Sequence, residues 1–142
     1  MTSAKFPPVG KRGFGSPFPM ERFVPSLGTS DYLKQANEAL LTMVQIETKE
    51  ALENVETIAA VAGIDLLFVG PFDLGNNIGH PITGGNMHDD LHAAIEKIFK
   101  AAKGAGKKAG IFCTSGEQSK KYADMVRFPI ISEYSFQLLT IY

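Results

Sequence analysis

The sequence has no tryptophan and a single cysteine, Cys113, in 142 residues. One thiol excludes an internal disulfide, so stability must come from burial, and a reducing compartment such as the cytosol suits such a chain. An excess of charge of one sign is lacking too. Lys and Arg number 14 against 15 Asp and Glu, for a net charge of −1. That balance offers no electrostatic basis for gripping nucleic acid or an anionic membrane. No apolar run approaches the roughly 20 residues that span a bilayer. The opening MTSAKFPPVGKRG has no apolar core of the kind a secretory signal carries. Neither G-x-G-x-x-G nor a Walker A sequence occurs, so nucleotide binding has no support. Ser16, Ser115 and Ser119 lack the context of a nucleophile elbow.

What is present is an ordinary globular balance, 44% hydrophobic and 20% charged, in a chain long enough for one domain with a real core. The stretch 43–74, MVQIETKEALENVETIAAVAGIDLLFVGPFDL, organises the rest. Two short apolar runs, 41–46 and 65–70, have the length and boundaries of buried parallel strands. Between them Leu52, Val55, Ile58, Ala59 and Ala62 mark one face of a crossover helix. Strand, helix, strand is a βαβ unit, and it puts Glu47 and Asp73 just past the carboxyl ends of two strands. In α/β sheets and barrels that edge is where chemistry is placed, and two carboxylates converging there suit a hard divalent cation. A blander account fits the same residues. Glu47 is also what a helix dipole favours in a first turn, and Asp73 what a turn after Pro71 accepts.

Residues 1–28 hold much of the Pro and Gly and read as an irregular loop facing a ligand or another subunit, carrying Arg12 and Arg22 among Phe6, Phe14, Phe18 and Phe23. Ser30 is expected to cap a helix over 31–39, with Leu33, Ala36 and Leu40 on one face. Thr48 is expected to cap the crossover helix, with Glu50 in its first turn and Gly63 closing it. Residues 70–86 read as a long polar loop. The helix over 88–106 is the clearest element. Leu91, Ala94, Ile95, Ile98, Phe99 and Ala102 fall at helical spacing, with Asp89 and Asp90 at its start and Lys100 and Lys103 towards its end. A third strand over 108–114 follows, then a capping box, Ser115 with Gln118, and a helix over 116–125. The run is a series of α/β units. The tail, 126–142, has Pro129 inside an apolar run, with room for a short strand near 130–132, and fits an α/β continuation poorly.

His88 and His92 stand at a metal-compatible i, i+4 spacing, but no third ligand follows in an HExxH-type pattern, so surface or cap roles are favoured. His80 lies in the Gly-rich loop, before Pro81. Cys113 falls in a buried strand and reads as a packed residue. Gln45, two residues before Glu47, shares its side of the strand. Backbone N–H groups around Gly70–Asp73 have the arrangement that cradles a small carboxylate.

The segments VQIETKEALENV and GIDLLFVGPFDL together closely resemble the signature of the HpcH/HpaI aldolase and citrate lyase family. KFPPVGKRGFGS resembles that family's YPP-x-G-x-RG segment, and DYLKQANEALLTMVQIET and GKKAGIFCTSGEQSKKYAD match it in order and spacing. The resemblance covers roughly residues 4–125. It implies a (β/α)₈ barrel, present here as a partial barrel of about four to five parallel strands. It implies a metal-dependent aldolase cleaving 4-hydroxy-2-oxo acids to pyruvate and an aldehyde. Relatives act on acyl-CoA thioesters, but no basic cluster for the CoA phosphates is evident. By the resemblance Glu47 and Asp73 bind Mg²⁺, Mn²⁺ or Co²⁺, while Gln45, Gly70, Pro71 and Phe72 hold the pyruvyl group. The family's catalytic histidine, its pyruvate-binding arginine and the acid orienting the histidine have no counterpart here; Arg12 belongs to the RG motif. A barrel of this kind needs about 250 residues. The chain therefore reads as an internal fragment with an altered tail. It is expected to pair with another copy or a full-length relative, as an aldolase or as a non-catalytic paralogue that keeps metal and oxo-acid binding.

Overall fold

The structure, a computed structural model, describes residues 2–15, 26–126 and 139–141. Parts of the expected loop (Arg22, Phe18 and Phe23) and the strand expected near 130–132 lie outside them. The chain divides into two compact units, Met1–Thr42 and Met43–Tyr142.

In the first unit the loop is tied to one helix, α1 (Thr29–Ala39). Asn37 makes the tie. Its Oδ1 accepts from the Phe6 N–H at 2.7 Å and its Nδ2 donates to the Phe6 carbonyl at 3.0 Å. The Phe6 ring, 3% exposed, meets Tyr32 edge-on at 5.9 Å, and the Arg12 guanidinium lies 4.6 Å over it. Ser30 does not cap this helix. Gly28 is the N-cap, and its carbonyl accepts from the N–H groups of Asp31 and Tyr32, so the helix starts two residues before the expected position. Of the face expected to be apolar, Ala36 is buried and Leu33 is exposed.

The second unit is built on β1 (Met43–Ile46), β2 (Leu66–Val69) and β3 (Lys108–Phe112), adjacent and parallel, with Met43 opposite Leu66 and Leu66 opposite Lys108. β4 (Leu139–Ile141) adds to β3 antiparallel. The β1–β2 crossover is two helices, α2 (Lys49–Glu53) and α3 (Val55–Ala60), where one was expected. Asn54 is the break. Its side-chain Nδ2 donates to the Glu50 carbonyl at 2.9 Å, the local bonding by which Asn competes with the helix ladder. Thr48 caps α2 as expected, its Oγ1 accepting from the Ala51 N–H at 3.1 Å. Val55 and Ala59 carry the crossover's buried face.

The loop expected over 70–86 opens with a helix, α4 (Pro71–Asn77). Pro71 takes the first helical position, where its missing N–H costs nothing. The next helix, α5 (Asp89–Gly104), buries Leu91, Ala94, Ile95, Ile98, Phe99 and Ala102, the same six residues its periodicity marks. They pack with Ile46, Leu67, Val69 and Ile111 of the sheet into one core cluster. α6 (Gly116–Val126) follows β3. Ser115 Oγ accepts from the Gln118 N–H at 3.1 Å, and the Gln118 side chain accepts in turn from the Thr114 N–H at 2.9 Å. The reciprocal cap is shifted one residue back from the usual box.

Tyr122 of α6 closes the core, 1% exposed and edge-on to Phe99 at 6.1 Å. Its hydroxyl lies 3.2 Å from Met87 Sδ, to which it donates, and 3.3 Å from His92 Nδ1. Burial, then the negative charges of Cys113 and Glu96, push its pKa from 10.0 to about 12. The folded chain therefore keeps a proton that the unfolded chain loses, and stability falls as pH rises from 10.0 towards about 12. The slope is about 1.4 kcal/mol per pH unit. Urea midpoints across that window should drop for the native chain, with this component absent from Tyr122→Phe.

Candidate active site

The parallel register that ends with Ile46 opposite Val69 makes Glu47 and Gly70 the next neighbours along the carboxyl edge. The Gly70 N–H reaches back to the Ile46 carbonyl at 3.4 Å. From there the chain enters α4, so Asp73 sits in a first helical turn beside the same edge. The Gln45 amide donates to Glu47 Oε2, which shows that the two side chains share a side of β1. Strand alternation requires this of residues two apart.

Gly70 is where the strand ends meet most closely. A Cβ on it would lie 2.7 Å from Gln45 Nε2 and 2.9 Å from Glu47 Oε2. Only a residue without a side chain leaves that space to the carboxylate and amide. Beside it, Gln45, Phe68, Gly70, Pro71, Phe72, Asp73 and Phe112 line one cavity of about 250 Å³. Glu47 stands next to this cavity, hydrogen-bonded to Gln45 and against Gly70. All six residues singled out at this edge are therefore brought together: five line the cavity and Glu47 adjoins it. Pro71 has no N–H, and those of Phe72 and Asp73 precede the first intrahelical bond, from Leu74 N–H to the Gly70 carbonyl at 2.9 Å.

Two carboxylates and a neighbouring side-chain amide are hard donors, the set that suits Mg²⁺, Mn²⁺ or Co²⁺. At Gly70 the Glu47 carboxylate and the Gln45 amide take up the room a side chain would need, and this holds both donors beside the cavity. The cavity has an apolar wall in which Phe68 and Phe112 join Phe72. Phe72 and Phe112 meet edge-on at 6.3 Å, and Phe68 faces the same space. Phe68 stands opposite Gln45 in the β1–β2 register, a pairing that spacing along the chain does not encode. Larger cavities lie elsewhere. One of about 710 Å³ runs between α3 and α5, past Ala60, Ala93 and Lys97, on the helical face away from the strand ends.

The i, i+4 histidines do not form a joint site. His92 turns to Tyr122, while His88 Nδ1 accepts from the Asp90 N–H at 3.2 Å and caps α5. Cys113 is 1% exposed, although β3 ends one residue before it. Gly70→Ala is expected to cost the fold little, under about 1 kcal/mol, because both crowded atoms end flexible side chains. It should nevertheless displace Glu47, and divalent-metal affinity measured by calorimetry should fall at least about tenfold.

Comparison with known proteins places this geometry in context. The sequence profile of the HpcH/HpaI aldolase/citrate lyase family matches residues 2–131. The chain is 40% identical over 124 residues to a 4-hydroxy-2-oxo-heptane-1,7-dioate aldolase of Klebsiella pneumoniae, covering 87% of this chain and 45% of that protein. It is 37% identical over 123 residues to a hydroxypyruvate/pyruvate aldolase of Chromohalobacter salexigens, covering 87% and 47%. The chain thus spans about half the length of the curated relatives it matches. Among solved structures, an HpcH/HpaI aldolase/citrate lyase family protein from Burkholderia cenocepacia superposes with a TM-score of 0.71 at 35% identity, over 86% of this chain and 47% of that one. An HpcH/HpaI aldolase from Desulfitobacterium hafniense gives 0.69 at 29% identity, over 88% and 47%. These neighbours have a fold of the (β/α)₈ barrel type, and the three parallel strands and their helices here follow it. On the extent of the profile match and these likenesses, the chain belongs to the HpcH/HpaI aldolase/citrate lyase family.

Proposed function

We propose that this chain provides the metal- and pyruvyl-binding edge of a divalent-metal-dependent aldolase that cleaves 4-hydroxy-2-oxo acids to pyruvate and an aldehyde. The observation that carries the reading is the convergence at Gly70, where a Cβ would run into Gln45 and Glu47 beside a cavity that Asp73 lines. The names of the curated relatives support the reaction class.

In this reading Glu47 and Asp73 hold Mg²⁺, Mn²⁺ or Co²⁺. A cation there supplies Lewis-acid polarisation of the substrate's 2-oxo group. Gln45 keeps the Glu47 carboxylate in place through its amide and lines the substrate space. Gly70 gives the Gln45 amide and the Glu47 carboxylate the room they occupy, and Pro71 sets the start of α4 so that the Phe72 and Asp73 N–H groups face a carboxylate. Phe68, Phe72 and Phe112 give the cavity an apolar side. The reading assigns no proton-transfer residue within this chain.

Calorimetric titration of the full chain with Mn²⁺ and then pyruvate tests it. Metal should bind first, pyruvate should bind only to the metal-loaded chain, and both signals should vanish in Glu47→Ala/Asp73→Ala. A folded native chain that binds neither, or a double variant that binds both normally, would sink the reading.

Partner association belongs to the same proposal. Among the described residues β1 pairs with no strand other than β2, and Met43 on it is 49% exposed. Open strand edges recruit further strands. Sedimentation of the purified chain should therefore give a species heavier than the 15.4 kDa monomer. No helix among the described residues is long and apolar enough to cross a membrane.

A further inference from the structure

We propose that His80, His88 and Asp90 form a second cation site, separate from Glu47 and Asp73, that takes a borderline transition-metal ion such as Zn²⁺. The proposal does not rest on the aldolase reading.

The chain between α4 and α5 is built to bring His80 to the start of α5. The His80 N–H donates to the Gly75 carbonyl at 2.8 Å, folding the loop back onto α4. A Cβ on Gly75 would lie 2.8 Å from the His80 carbonyl oxygen, so the glycine permits the approach. Gly79, at φ +83°, makes the reversal between them. Across from His80 stand His88, the N-cap of α5, and Asp90 in its first turn.

The three side chains converge. His80 Nε2 lies 2.8 Å from Asp90 Oδ2, and His88 Nδ1 lies 3.4 Å from the same oxygen. One candidate ligand atom from each of the three residues falls within 4.8 Å of the others. Two ligands held at about 2.0–2.2 Å from one ion stand roughly 3–3.5 Å apart. The His80–Asp90 pair is near that spacing as it stands, and His88 is close enough to reach it by turning its ring.

Proton accounting sharpens the point. His88 Nδ1 accepts the Asp90 N–H at 3.2 Å, so it carries a lone pair and cannot also donate to the Asp90 carboxylate. Of the two rings it is His80 that is placed to donate to Asp90 Oδ2, at 2.8 Å, and a cation bound there takes the place of that proton.

The rings set a condition. His80 and His88 are stacked at 4.0 Å with 7° between their planes. An imidazole lone pair lies in its ring plane, and one ion cannot lie in two parallel planes. Binding must therefore turn His88 out of the stack and release its cap bond. The His88 side chain is 55% exposed, so the turn sweeps through solvent rather than core. Two imidazoles and one carboxylate favour Zn²⁺ over Mg²⁺, the reverse of the all-carboxylate pair at Glu47 and Asp73. The bound ion would pin the loop after α4 to α5. That makes it a staple at the end of α4, the helix whose first turn holds Asp73.

The test is calorimetric titration of the full chain with Zn²⁺ alone, in native, His80→Gln, His88→Gln and Glu47→Gln/Asp73→Asn forms. The His Hε1 resonances of the native chain are followed in parallel. The native chain should bind Zn²⁺, and each histidine variant should bind at least about tenfold more weakly. The carboxylate double variant should keep native Zn²⁺ affinity, and excess Mg²⁺ should not compete. Zn²⁺ should also raise the urea midpoint of the native chain and leave that of His80→Gln unmoved. The proposal is overturned if the native chain does not bind Zn²⁺ or if either histidine variant binds as well as native. It is equally overturned if affinity is lost in Glu47→Gln/Asp73→Asn.

Discussion

Two parallel strands cannot be joined by a tight turn. Each connection has to travel back along the sheet, and the helix that makes the return must bury one face on it. That constraint governs residues 43–112. It forces the α2–α3 crossover between β1 and β2, and the α4–α5 crossover between β2 and β3. It also makes α5 the principal partner of the sheet, with Leu91, Ile95 and Ile98 fully buried against Leu67, Val69 and Ile111. Because the strands run in one direction, their carboxyl ends form one edge, and the residues that follow them are collected there.

What collects at that edge depends on a missing side chain. Gly70 leaves room for the Gln45 amide and the Glu47 carboxylate at the point where β1 and β2 stop. The turn straight into α4 at Pro71 then returns Asp73 to the same place. Polar groups from β1 and the start of α4 face an aromatic wall drawn from β2, α4 and β3. Each strand thus contributes one kind of group, and the sheet's register decides which groups meet.

The loop between α4 and α5 obeys a similar economy. Gly75 lets the backbone of His80 lie against a helix, and Thr83 and Asn86 bridge to close the next turn. Met87 then accepts the Tyr122 hydroxyl, so the end of the loop is held by α6, the helix that follows β3. A stretch that is polar and Gly-rich in sequence is held at several points along its length.

Much of this was legible in the residues. Apolar runs of strand length, a helical stripe of six residues in α5 and the Thr48 and Ser115 caps are local signals, set by period and by side-chain chemistry within a few residues. Glu47, Asp73, Gln45 and Gly70–Phe72 could be named because each lies at or just after the end of a readable strand. The misses have long-range causes. α4 was hidden because its stability comes from Leu74, buried in the core, rather than from any stripe in a seven-residue helix. The Asn54 break turned on one side chain reaching a carbonyl, and the cap of α1 fell to a glycine backbone rather than to Ser30. By itself the sequence determined the three parallel strands, the main helix and which residues follow each of those strands, because those depend on spacing along the chain. Only the tertiary structure decided that Phe68 and Phe112 would wall the cavity, that His92 would turn to Tyr122, and that His80 would meet His88 and Asp90. Those meetings depend on register and on how closely two backbones can approach, and spacing along the chain encodes neither.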